Sequence, residues 1–89
     1  MKSIRNNLEL SDRTAELIRR IEADGALNSS PATAACFSLR QAIRESNMPN
    51  PNRWTLVDHL DDAARHLSGT DYEDIARELI EAANRLNTV

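Results

Sequence analysis

Histidine and carboxylate side chains hold metal ions and move protons near neutral pH, and in this chain they gather most closely at His59, Asp62 and His66. Their spacing argues against a metal site within one chain. His59 and His66 are two helical turns apart, about 10 Å along an axis that rises 1.5 Å per residue. Ligand bonds near 2 Å cannot close that gap, so an ion bridged between two chains is the one metal arrangement left. Cys36, the single cysteine, is a nucleophile by type, with His59 or His66 as a candidate base. Its place beside Ala35 and Leu39 on an apolar helical stripe predicts a buried, inert thiol instead. Ser29-Ser30 and Ser68-Gly69 match no nucleophile elbow, and two glycines in all provide no phosphate-cradling loop. The expectation is a non-enzymatic protein with no catalytic residues, no cofactor and no metal.

Length and composition bound the scaffold that carries these residues. Eighty-nine residues suffice for one modest core, and 40% hydrophobic with 28% charged residues is an ordinary globular balance. Phe37, Trp54 and Tyr72 are the only aromatics, so the core must be built from Leu, Ile and Ala, which suits helix-on-helix packing. A lone cysteine permits no internal disulfide, and no stretch approaches the roughly 20 apolar residues of a membrane span, so a cytoplasmic protein without membrane contact is expected. The net charge of −3 is unevenly spread: residues 1–53 carry eight basic and six acidic side chains, and residues 54–89 carry three and eight. Phosphate backbones would therefore be met, if at all, by the first half.

The periodicity predicts an all-α fold, a short extended arm at 1–10 followed by four helices in a small bundle. Ser11 reads as an N-cap, with Asp12 in the first turn and Leu10 and Ala15 as a hydrophobic staple. Thr14, Leu17, Ile18 and Ile21 then recur at helical spacing and Gly25 suits a left-handed stop, giving helix 1 at about 12–24. Asn28-Ser29-Ser30-Pro31 opens helix 2 at 31–46, with an inner stripe of Ala32, Ala35, Cys36, Leu39, Ala42 and Ile43. Residues 48–52, Met-Pro-Asn-Pro-Asn, form a linker. Helix 3 at 53–67 buries Leu56, Val57, Leu60, Ala63, Ala64 and Leu67. Thr70-x-x-Glu73, reinforced by Asp71 and Asp74, is a capping box that starts helix 4 at 71–87, with Tyr72, Ile75, Ala76, Leu79, Ile80, Ala83 and Leu86 on one face. The single domain 1–89 thus divides into the arm at 1–10, helices 1 and 2 within 11–47, and an acidic helical hairpin at 53–89.

In Lys2-Ser3-Ile4-Arg5-Asn6-Asn7-Leu8-Glu9-Leu10, apolar residues at 4, 8 and 10 stand among polar ones, and a capped helix, a glycine and a second capped helix follow. In this layout residues 2–46 resemble the ribbon-helix-helix family of dimeric DNA-binding proteins. The resemblance implies a dimer with the hairpin appended, its paired arms in the major groove and Arg5, Asn7 and Glu9 facing the bases, with Lys2 alongside. Arg and Asn side chains can pair with guanine and adenine edges. The chain departs from the family pattern at Asn6, where an apolar residue is usual, at Glu9, an acid facing phosphate, and at Ala26-Leu27, which displaces the second cap.

Phe37 projects about 100° or more from the inner stripe of helix 2, beside Ala34, Gln41 and Arg44. It reads either as an interface anchor or as a second buried side of a central helix. Arg53 and Trp54, after the linker, read as a further aromatic and arginine pair or as the closing end of the bundle. Asp58, Asp61 and Asp62 lend the hairpin an acidic outer face. The functional expectation is a protein-binding module that inhibits or regulates a partner with a basic surface by occlusion, as cognate inhibitors and antitoxins do, through Phe37, Arg44, Arg53, Trp54, Asp58, Asp61 and Asp62. The alternative is a ribbon-helix-helix repressor or antitoxin that holds duplex DNA with Lys2, Arg5 and Asn7. A homodimer is compatible with either.

Overall fold

Helix formation starts at Lys2 and does not wait for the serine cap at position 11. The computed structural model describes the backbone of residues 2–25 and 30–87 and the side chains of residues 10–25 and 30–87. Four helices result: α1, Lys2–Ala23; α2, Ser30–Ser46; α3, Arg53–Leu67; and α4, Glu73–Asn87. No strand occurs among the described residues. The all-α expectation holds, but the extended arm at 1–10 is corrected, because its backbone from Lys2 onward is helical and continuous with the rest of α1. The reason lies in the residues around position 10. Leu10, which packs partly buried against the core, sits on the same stripe as the buried Thr14, Leu17, Ile18 and Ile21, so the inward face begins before Ser11. No Gly or Pro interrupts residues 2–23, and Ile4 and Leu8 are four apart, a spacing that suits a helix as well as it suits alternation. A mid-helix serine is only mildly unfavourable, so continued backbone hydrogen bonding outweighs the cap.

The remaining boundaries follow local chemistry. Gly25 ends the first segment at φ +72°, and its N–H donates to the Glu22 carbonyl. Asn28 and Ser29, expected to cap helix 2, lie outside the described residues. At the start of α3, Asn52 is extended (φ −84°, ψ 112°) and its side chain accepts from the Thr55 N–H at 3.1 Å, an N-cap. Gly69 makes the α3–α4 turn at φ +79°. The capping-box residues are all engaged there, but one step early. Thr70 Oγ1 donates to the Leu67 carbonyl and accepts from the Tyr72 N–H, while Glu73 reaches back to the Gly69 N–H at 2.6 Å. Asp71 and Tyr72 therefore belong to the turn, and α4 begins at Glu73 and not at 71.

Helix α2 packs on α1 and α3, and α3 on α4. Ion pairs Arg13–Glu78 and Arg20–Asp74, with the Tyr72 hydroxyl donating to Asp24, close α1 against α4 in antiparallel sense. Most of the predicted core is buried: Leu39, Leu56, Leu60, Leu67, Ile75, Leu79 and Ile21 are essentially inaccessible, with Ala32, Ala35, Ala42, Ala63, Ala64 and Ala76 between them, while Ile43, Val57, Tyr72 and Leu86 are partly buried at its margin. Small residues on α2 and α3 let these helices approach closely. Ile80, expected on the inner face of helix 4, is instead exposed, since the positions that face inward are 75, 76, 79 and 83.

Candidate functional site

The outer side of the α2–α3 pair is where most of the candidate side chains meet. Ser38 Oγ donates to Asp62 Oδ2 at 2.6 Å, and the Asn52 N–H donates to Glu45 Oε2 at 2.7 Å, so the two helices run antiparallel in fixed register. Between them lies an open groove of about 530 Å³ bounded by Phe37, Ser38, Ala34, Asp62 and His66, with Ser30 and Thr33 at its end. Phe37 is 64% exposed on its rim. Position 37 is therefore on the outside of the bundle, and the reading of helix 2 as buried on both sides is set aside.

Serine, aspartate and histidine thus stand together, and their order decides what they can do. Asp62 Oδ2 accepts the Ser38 hydroxyl and lies 3.6 Å from His66 Nε2, so the carboxylate stands between the other two. An acyl-transfer relay needs the imidazole in the middle, taking the serine proton. Here the hydroxyl is bound to the acid and is itself buried, an arrangement that locks α2 to α3 and puts no imidazole against the Ser38 hydroxyl. Cys36 is fully buried on the opposite side of α2, and burial pushes its thiol above the ordinary range, disfavouring the thiolate. Among the described residues no three His, Cys, Asp or Glu side chains are placed to hold a metal ion.

The second aromatic lies near the start of α3. Trp54 is 60% exposed, with the Arg53 guanidinium carbon 5.2 Å from its ring centroid, so it does not close the end of the bundle. At 100° per residue, Trp54, Asp58, Asp61 and Arg65 fall within about 60° of one another on the outward side of α3, and Asp61 pairs with Arg65 at 3.2 Å. Asp62 and the groove border this stripe. On α2, Arg44 is exposed two turns beyond Phe37. Of the seven expected partner-binding residues, Phe37 and Asp62 line the groove, Arg44 continues the Phe37 side of α2, Trp54, Asp58 and Asp61 share the α3 stripe, and Arg53 lies beside it against the Trp54 ring. Lys2, Arg5 and Asn7 sit on the helical backbone of α1, and their side chains lie outside the described residues. Sequence reasoning missed Ser38 as the link to Asp62; a serine between Phe37 and Leu39 carries no signal of its partner 24 residues on.

Among the described residues no helix is long and apolar enough to cross a membrane. No family model, no curated protein and no solved structure matches this chain.

Proposed function

We infer that this chain is a non-enzymatic binding module that regulates or inhibits a protein partner by covering part of its surface. The observation that carries this reading is the exposure of Phe37 and Trp54, the only phenylalanine and the only tryptophan, on a bundle whose core is already closed by Leu, Ile and Ala. Leaving a large apolar side chain in water forgoes about 1.5–3 kcal/mol of burial, and folding gains nothing from it here. Aromatic side chains of this kind are the usual anchors of protein interfaces. The aspartates beside them give the partner its sign. Asp58 and Asp61 line the Trp54 stripe and Asp62 the Phe37 groove, so a basic surface is the complementary one, and association should weaken with salt.

The test is site-specific cross-linking in the cells that make the protein, with a photoreactive phenylalanine analogue at position 54 and another at Glu81, on α4. A discrete protein adduct from position 54, absent from position 81 and reduced by Asp58→Asn with Asp61→Asn, is expected. No protein adduct at position 54, together with salt-dependent binding of duplex DNA that is lost in Arg5→Ala/Asn7→Ala, would replace this reading with the DNA-binding one.

A further inference from the structure

The outer face of α2 is self-complementary, and we propose that it pairs two copies of this chain about a two-fold axis that passes between Arg40 and Gln41. This deepens the proposed function, on which it rests for the exposed aromatics: the Phe37 groove goes to a second copy, whose Arg44 is the basic group met there, and the Trp54 stripe of α3 stays free for the protein partner. An isologous interface demands that each group in a patch find its complement elsewhere in the same patch. Phe37 and Arg44 meet that demand. They are seven residues apart, so they share one side of the helix, separated by about 10 Å along its axis. Both are exposed, and among the described residues Arg44 has no ion-pair partner, whereas Arg40 is held by Glu22 at 2.6 Å.

Antiparallel α2 helices centred between positions 40 and 41 bring each Phe37 opposite the partner's Arg44. The guanidinium then lies over the ring, with the Asp62 carboxylate at the edge of the same groove to take its charge. A two-fold operation makes this contact twice. In the same register Gln41 lies next to the axis, where an amide with both donor and acceptor can pair with its own copy. Exposed Met48, just past the end of α2, comes over the partner's Thr33 and Ala34, small residues at the far end of the groove. A large side chain thus faces small ones at each end, and a cation faces an anion and a ring. An unrelated basic protein would satisfy the Asp62 end but would leave Arg44 facing a like charge, and this favours a second copy as the occupant.

Sedimentation equilibrium of the full chain from low micromolar to submillimolar concentration tests the proposal. The expected mass rises toward twice the 10.0 kDa of one chain. Arg44→Asp should weaken dimerisation about tenfold or more, through two repulsive contacts, while Arg19→Asp on α1 leaves it unchanged. Asp62→Arg should do the same as Arg44→Asp. Mixing the two single variants should restore dimers, because each chain then supplies the charge the other lacks in both contacts. A monomer at every concentration overturns the proposal, even if position 54 captures a partner and the protein-binding reading stands. Failure of the mixed variants to associate, with helicity intact, also overturns it. Should Asp62→Arg unfold, equal behaviour of Arg44→Asp and Arg19→Asp decides against it alone.

Discussion

Ser38 and Asp62, 24 residues apart in the chain, are joined by a 2.6 Å hydrogen bond that crosses from α2 to α3 and lines the groove beside Phe37. The bond holds a buried hydroxyl against a half-exposed carboxylate, so its main consequence is structural. Ser38→Ala should lower stability by about 1.5–3 kcal/mol in urea unfolding, the worth of one hydrogen bond to a charged group. A loss below the error of that measurement would mean the bond contributes nothing to the helix register.

Acid should loosen α1 from α4. Hydrogen bonds from Arg13 hold the Glu78 carboxyl below its ordinary range, and those from Arg20 do the same for Asp74. A carboxyl whose pKa is lower in the folded state stabilises the fold above its unfolded pKa, and that contribution fades as pH falls through the folded value. The melting temperature should therefore be level from neutral pH to about 5 and drop below about 4. Glu78→Gln/Asp74→Asn should flatten that drop. An equally steep acid limb in the double variant would show that other carboxyls govern it.

Asn52 controls where α3 begins, through its side-chain bond to the Thr55 N–H. Replacing it by Ala should cost about 1 kcal/mol, and Asp should substitute with little change. Thermal unfolding of these variants beside Asn52→Gly would separate a capping role from the loss of side-chain packing, because Gly is tolerated at a cap at a cost of only a few tenths of a kcal/mol, whereas in a packing role it would be as damaging as Ala.

The helical start at Lys2 is open to a direct check. Proline at position 9 removes a backbone donor and blocks the preceding turn, so Glu9→Pro should lower the helical circular dichroism by roughly two turns' worth. An unchanged spectrum would return residues 2–9 to the extended conformation that their polarity suggests.

The interior of this protein was legible because helical periodicity reports burial. The stripes Thr14-Leu17-Ile18-Ile21, Ala32-Ala35-Cys36-Leu39-Ala42-Ile43 and Leu56-Val57-Leu60-Ala63-Ala64-Leu67 enter the observed core with Ile43 and Val57 only partly buried, and Gly25 and Gly69 do take positive φ. The start of α1 was harder to read, because Ser11 is a strong cap by type, yet Leu10 before it already faces the core. Ile80 misled for a similar reason, lying at the edge of the stripe, where a small rotation of α4 decides exposure. Phe37 could be flagged by its angular position and Trp54 by its pairing with Arg53 after the linker, but only the packing of α2 on α3 shows that both stay exposed among the described residues. The groove itself depends on Ser38 meeting Asp62, a pairing that has no local signature.

The central claim is that the exposed aromatics serve binding and not folding, and one affinity measurement addresses it most directly. Against the protein captured from position 54, the Trp54→Ser variant should bind about a hundredfold more weakly than wild type, as expected for a hot-spot aromatic worth some 2–3 kcal/mol, while its melting temperature stays unchanged. Affinity equal to wild type would contradict the account, as would a fall in affinity matched by an equivalent loss of folding stability.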